Sequence, residues 1–375
     1  MRALKCYIIA GEASGDLHAA NLMRAMIKED PTIDFRFWGG DRMAQLAPSG
    51  LVKHIRDLAF MGFVEVFMNL RTILKNMRFC KEDIESFTPD VLILVDYPGF
   101  NLRIAEWASQ KGIKVHYYIS PQVWAWKKSR VYKIKKFVDK MYVILPFEKE
   151  FYARYDYVVD YVGHPLLDEI AVFKERNVAT SFRMRNGLDE RPILALLPGS
   201  RKQEVLKKLP IMLQAIEGMD AFQIVLAGAP SLSEGFYRQI APRAHIVFNE
   251  TYALLANTHT ALVTSGTATL EAALFKVPEV VCYKGSPISY IIAKQLVDVK
   301  YISLVNLIMD REVVLELIQK ECTPAKIRQE VDRLIGDKTY REALLNAYDE
   351  LELVLGGGGA SEKVAQSLLK TIRTA

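Results

Sequence analysis

Four cysteines in 375 residues, Cys6, Cys80, Cys282 and Cys322, are too few and too scattered for a disulfide framework or a CxxC motif. Cys6 and Cys282 lie in apolar runs and are expected as buried fillers, which fits a reducing cytoplasm. The six histidines form no HExxH or comparable cluster, so no metal is assigned. No apolar run reaches the roughly 18 residues needed to cross a bilayer, which excludes a transmembrane helix. The run from Leu4 to Ala10 is short, carries Lys5 and leads straight into Gly11, as a first strand does and a secretory signal does not. No GxGxxG comes after it, which disfavours a nicotinamide or flavin dehydrogenase, and no cofactor is expected. Repeats of solenoid period are missing, and Gly356–Gly359 is the only low-complexity run. The net charge of +5 is too slight an excess to argue for nucleic acid, but it suits an anionic ligand or an anionic membrane surface.

What is present is ordinary globular material, half hydrophobic and a quarter charged, long enough for two cores. Apolar runs at Lys5–Ala10, Asp34–Trp38, Val91–Val95, Val115–Ile119 and Met141–Leu145 alternate with helical stretches. Val91–Val95 is apolar on both faces, as a central parallel strand covered by helices must be. Residues 169–190 are charged and strandless. A second series begins beyond them, at Ile193–Leu197, Gln223–Leu226, His245–Phe248, Ala261–Val263 and Glu279–Tyr283. Two such series predict an α/β protein of two doubly wound, Rossmann-like domains facing each other across a cleft. The expected boundaries are 1–168, 169–350 and a tail, 351–375. In that tail a glycine joint would let a last helix, Ser361 to about Ile372, cross back to the first domain.

Ligands of open α/β sheets bind beyond the carboxyl ends of the strands, so polar residues there carry the functional weight. The richest segment is Leu262–Phe275: a buried strand, a small-residue turn from Thr264 to Ala268, then a helix bearing Glu271. Gly266 and its neighbours Ser265, Thr267 and Ala268 would let an anion approach backbone amides at the helix start, with Glu271 one turn on, within reach of a ribose. The plain alternative is an ordinary strand-to-helix turn capped by Ser265. A second such turn, Leu196–Glu204, brings in Arg201. In the first half, Asp96 directly succeeds the strand Val91–Val95. It is placed either as a general base or as an Asx turn former ahead of Pro98.

Between Phe63 and Met77 apolar residues recur at helical spacing, with Glu65, Asn69, Arg71, Thr72, Lys75, Asn76 and Arg78 opposite. Such a helix packs on a sheet, lies in a membrane interface or lines an acyl groove. Trp124–Lys136 interleaves aromatics with bases, a pattern shared by solvated helices, nucleic-acid sites and anionic lipid surfaces.

Several segments stand in a known order: Gly11–Asp16 (GEASGD), Met61–Val66 (MGFVEV), Asp96–Asn101 (DYPGFN), Ser120–Trp126 (SPQVWAW), Leu145–Glu148 (LPFE), Gly163–His164, Leu197–Arg201 (LPGSR), Thr264–Glu271 (TSGTATLE) and Tyr301–Asn306 (YISLVN). Through them nearly the whole chain resembles the lipid-A-disaccharide synthases. Two positions depart from the family pattern. Gly99 stands where many relatives carry a second Asp, leaving Asp96 as the only carboxylate of its loop, and Val305 stands where they carry Pro.

The resemblance implies a GT-B fold, with donor nucleotide in the C-terminal domain and acceptor in the N-terminal one. It implies inverting transfer of 2,3-diacylglucosamine from its UDP conjugate to the 6-hydroxyl of 2,3-diacylglucosamine 1-phosphate (lipid X), without cofactor or metal. It assigns Asp96 as base, and Arg201, Ser265, Gly266, Thr267, Ala268, Glu271 and Asn306 to the UDP-sugar. Glu12, Ser14, Asp16, Met61, Gly62 and Asn101 would shape the acceptor site, and Phe63, Val66, Phe67, Leu70 and Leu74 would meet acyl chains or membrane. A peripheral protein of the inner face of the cytoplasmic membrane is expected, with self-association into a homodimer compatible. Rival readings are a related sugar enzyme such as a UDP-sugar 2-epimerase, and a non-catalytic membrane-surface module using the 63–78 helix.

Overall fold

The computed structural model describes residues 2–58, 70–126, 128–176, 181–286 and 299–373. The chain divides into two compact units, Met1–Pro165 with Gly358–Ala375, and Leu166–Gly357.

The first unit is built on a seven-stranded sheet of β1 (Lys5–Ala10), β2 (Asp34–Gly39), β3 (Leu51–His54), β4 (Val91–Val95), β5 (Val115–Tyr118), β6 (Lys140–Val143) and β7 (Asp160–Tyr161). Their order is β3-β2-β1-β4-β5-β6-β7, and every pairing is parallel. The order reverses between β1 and β4, and that switch point opens the crevice in which such sheets hold ligands. Alternate residues of β1 serve opposite faces. Tyr7 and Ile9 pack with Leu92, Leu94 and the helices at Met77–Ile84 and Phe100–Ala108. Cys6, Ile8 and Ala10 pack with Ala19, Met23 and Met26 of the helix Ala13–Glu29. The last helix, Ala360–Arg373, completes this second layer with Val364, Ala365, Leu368 and Leu369, all nearly inaccessible to solvent. Lys28 to Glu362 (3.0 Å) and Arg373 to Asp30 (2.9 Å) close its rim.

The second unit carries six parallel strands, β8 (Ile193–Leu197), β9 (Gln223–Gly228), β10 (His245–Phe248), β11 (Thr258–Thr264), β12 (Glu279–Tyr283) and β13 (Glu316–Ile318), ordered β10-β9-β8-β11-β12-β13. Its switch point falls between β8 and β11. All four cysteines of the chain are buried and unbridged.

Three strands are not foreshadowed by an apolar run: β3, β7 and β13. Each is a short edge strand paired on one side only, so a continuous apolar stretch is not required of it. The expected strand Val115–Ile119 stops at Tyr118, because Ile119 turns into the left-handed region at φ 66°. Of the expected 63–78 helix, residues 63–69 lie outside the described residues. The helix that is described spans Leu70–Phe87, with Met77, Cys80 and Ile84 turned inward and Leu74 59% exposed.

Candidate functional site

At the first switch point, β1 leads into Gly11 and β4 into Asp96. Asp96 and Tyr97 both adopt left-handed backbone, φ 44° and 50°, a conformation costing non-glycine residues of order 1 kcal/mol or more each. The neighbourhood holds them there. The Asn101 Nδ2 donates to the carbonyls of Asp96 (2.8 Å), Val95 (3.3 Å) and Ile9 (3.4 Å). Tyr117 Oη donates to the Asp96 carbonyl at 2.5 Å, and the Asp96 N–H donates to Tyr118 O at 3.1 Å. Pro98 then opens the helix Pro98–Gln110. The Tyr97 ring lies over Gly11 so closely that a Cβ there would sit 2.3 Å from it, which is why glycine stands at that position.

This frame leaves the Asp96 carboxyl half-buried with the exposed Glu12 nearby. Burial first, and the negative charge of Glu12 second, push its pKa up to about 6 against a hydrogen bond from the Tyr97 N–H. A carboxylate so tuned is still ionised at neutral pH and is a stronger base than an exposed aspartate. Ser14 is exposed in the first turn of the Ala13–Glu29 helix.

Two residues expected to shape the acceptor site are turned inward. Asp16 is 4% exposed, and its carboxylate accepts from the N–H groups of Gly40 (2.6 Å), Met43 (3.2 Å) and Arg42 (3.2 Å), capping the helix Asp41–Leu46. Asn101 is fully buried and committed to the turn described above. Met61, Gly62, Phe63, Val66 and Phe67 lie outside the described residues, as does the side chain of Leu70.

At the second switch point a pocket of about 270 Å³ is lined by the tips of four strands. β8 contributes Leu197, Gly199, Ser200 and Glu204, β9 contributes Ala227–Pro230, β10 leads on to Thr251, and β11 leads into Thr264–Ala268 and Glu271. Gly266 has φ 152°, and a Cβ there would meet nothing within 4 Å, so glycine is demanded by backbone conformation and its surface faces open space. The helix Thr267–Leu274 starts at Gly266 with no side-chain cap. Its first N–H groups and positive dipole end are thus presented to the pocket, an arrangement suited to phosphate oxygens. Ser265 is not that cap, because its Oγ donates to Ile302 O at 2.7 Å and ties the turn to a neighbouring loop. Glu271 lies in the wall with Tyr252 Oη donating to its Oε1 at 3.4 Å, and burial raises its pKa.

Arg201 is 68% exposed and does not itself line the pocket; its guanidinium reaches Glu204, a wall residue, at 3.7 Å. Asn306, expected at the UDP-sugar, is turned inward. It is wholly buried, its Oδ1 accepts from Val313 N (2.7 Å) and Val314 N (3.0 Å), and its Nδ2 donates to Val314 O and Glu316 Oε1 (both 2.9 Å). All its capacity is used in holding the 303–316 segment. Thr251 and the Gly228–Pro230 tip were not singled out in the sequence. Only the strand-tip rule, applied to β9 and β10 as well, would have found them.

Leu74 and Phe79 are exposed on the Leu70–Phe87 helix, and Tyr132 and Trp126 on the basic segment, where the Arg130 guanidinium stands 5.0 Å over the Trp126 ring. No described helix is long and apolar enough to cross a membrane.

Two doubly wound parallel units, each with polar residues at its switch point, are the GT-B fold. The structure is similar to the UDP-GlcNAc 2-epimerase of Neisseria meningitidis bound to UDP-GlcNAc, with TM-score 0.68 and 14% identity over 98% of this chain and 100% of that one. It is also similar to a calicheamicin glycosyltransferase, with TM-score 0.59 and 15% identity over 99% and 100%. At such identities these likenesses speak for the fold alone. The sequence decides the family: the lipid-A-disaccharide synthetase pattern matches residues 6–356, and the chain belongs to that family. Lipid-A-disaccharide synthases of Syntrophus aciditrophicus (41% identical, 98% of this chain and 97% of that protein) and Geobacter sulfurreducens (38%, 97% and 96%) are among its relatives. Membership makes the chain a glycosyltransferase of lipid A assembly.

Proposed function

We propose that this enzyme transfers 2,3-diacylglucosamine from UDP-2,3-diacylglucosamine to the 6-hydroxyl of lipid X, releasing UDP and forming the β-1,6 disaccharide 1-phosphate. The observation that carries the reading is the Asp96 carboxyl, raised to about 6 at the first switch point, in a chain whose second switch point offers an uncapped helix start for phosphate. The donor is an α-glycoside and the product β, so the reaction is one displacement with inversion. It needs a base on the acceptor hydroxyl and stabilisation of the departing diphosphate. Asp96 takes the proton from the 6-hydroxyl as its oxygen attacks the anomeric carbon. The Gly266–Ala268 amides, with Arg201 swinging in from the rim, take the charge developing on UDP. Glu271 receives the ribose hydroxyls. Glu12 and Ser14 stand at the acceptor side, while Asp16 and Asn101 hold the loops that present it.

Both substrates carry acyl chains, and exposing these to water costs about 0.8 kcal/mol per CH₂. The enzyme therefore works at the anionic inner face of the cytoplasmic membrane, with Leu74 and the basic segment toward the lipid. Incubation with both substrates and mass analysis of the product tests the reaction; absence of disaccharide 1-phosphate and UDP would refute it. Salt-sensitive liposome binding, weakened in Val66→Ser/Phe67→Ser with UDP binding retained, tests the surface role.

A further inference from the structure

Leu145–Glu148 belongs to the family pattern but has no part in the reaction proposed above. Glu148 opens the helix Glu148–Ala153 just beyond β6 and is 1% exposed. A carboxylate so deprived of water must find its donors in the protein. Its Oε2 accepts from Leu145 N at 2.9 Å and Ile144 N at 3.2 Å. The remaining groups turned toward it, Ser120 and Trp124, come from the loop just beyond β5. Trp124 is 9% exposed, its indole N–H is buried without completing a hydrogen bond, and its ring meets the Phe147 ring edge-on at 4.9 Å. Ser120 Oγ bonds Tyr152 Oη at 2.7 Å, one turn along from Glu148.

Glu148 is thus the junction between the turn after β6 and the Ser120–Trp126 loop. That loop stands at the tip of β5, immediately beside β4 and its Asp96. Tyr117, on the same β5, already holds the Asp96 carbonyl. A core position of this kind needs no charge, and an apolar residue would fill it at lower cost. We propose that Glu148 is a positioning residue: ionised, it draws the Trp124 indole N–H and Ser120 onto its carboxylate and fixes the Ser120–Trp126 loop as a wall of the acceptor site; protonated, it lets that wall go. The inference rests on the acceptor binding to the first unit.

Burial pushes the Glu148 pKa up to about 7, against the hydrogen bonds that lower it, and no charged side chain is among the causes. The titratable groups facing it are Tyr152 on its own helix and Tyr161 on β7, both raised by burial and both neutral in this range. The latch therefore turns over near pH 7.

The test uses the full chain. Without substrate, tryptophan fluorescence titrated from about pH 5 to about pH 9 should show a transition near 7 in the wild type that is lost in Glu148→Gln and in Trp124→Phe. With both substrates, Glu148→Gln should lower kcat/KM for the acceptor roughly 10- to 100-fold, mainly through KM, and leave donor KM unchanged. Its pH profile should keep the inflection near 6 and lose the one near 7. A folded Glu148→Gln that retains the fluorescence transition and the wild-type acceptor KM overturns the proposal. If Glu148→Gln does not fold, Trp124→Phe, which removes only the indole donor, must raise acceptor KM and remove the upper inflection; unchanged values overturn it equally. Because the fluorescence measurement needs no substrate, a wrong acceptor would abolish turnover while leaving the Glu148-dependent transition in place.

Discussion

Replacing Asp96 by Asn tests the site through two quantities that should move in opposite directions. The substitution keeps shape and hydrogen bonding but removes the base, so kcat should fall by about 10² or more, the usual range for such a loss. In the wild type, with Asp96 titrating near 6, kcat/KM should fall about tenfold per pH unit on the acid side of that value. Stability responds with the other sign. The folded pKa of about 6 lies above the ordinary 3.8. The folded state therefore holds this proton more tightly than the unfolded chain, and the stability this provides is complete below about 4 and lost as pH rises through 6. A rise of roughly two pH units corresponds to about 2–3 kcal/mol of strain at neutral pH. Asp96→Asn should relieve that cost, raising the urea midpoint at pH 7.5 and changing it little at pH 4. Glu12→Gln removes the second cause of the rise and should move the acid limb to lower pH, by less than burial alone accounts for. The assays are UDP release across the pH range and urea unfolding at the two pH values. A variant with near-normal kcat, or one that is slow and also less stable at neutral pH, would reduce Asp96 to a turn former.

Three further outcomes are expected. Arg201→Ala should weaken UDP binding by roughly 1.5–3 kcal/mol through loss of charge-assisted hydrogen bonds; unchanged affinity by calorimetry would leave Arg201 a solvated rim residue. Glu279 begins β12, is 1% exposed, has no hydrogen-bond partner for either side-chain oxygen, and is held well above the carboxylate range by burial. It contributes stability that is full below about 4.5 and is lost as pH rises toward its raised pKa, so Glu279→Gln should gain on the wild type progressively as pH rises above about 5, read by urea unfolding. A constant difference across pH would show Glu279 ionised in the fold. Leu368→Ala, in the last helix, should cost about 2–5 kcal/mol and lower the Tm of the first unit; a surface-like loss below about 0.5 kcal/mol would mean the helix is not part of that core.

The chain's order of elements, and the strand tips that carry Asp96, Thr264–Glu271 and the Leu196–Glu204 turn, were legible in the sequence. Central parallel strands are buried on both faces and so write themselves as short apolar runs, and the polar residues just past each run mark its tip. Gly266 was legible too, since small residues between such a strand and a helix signal a backbone that something approaches. Edge strands β3, β7 and β13 were not, because pairing on one side asks little of their side chains. Tertiary structure alone separated residues left open at a strand tip from residues that hold a loop. Asp16 stands in one motif with the exposed Glu12 and Ser14, yet its carboxylate is consumed by Gly40–Met43, and the polar atoms of Asn306 are consumed by Val313–Glu316, further along the chain. The pocket at the second switch point draws Thr251 and Ala229 into one lining with Gly266, an adjacency set by strand order rather than by sequence. The acid strengths of Asp96 and Glu148 likewise had no local signature, for burial is the first cause of both and belongs to the folded molecule.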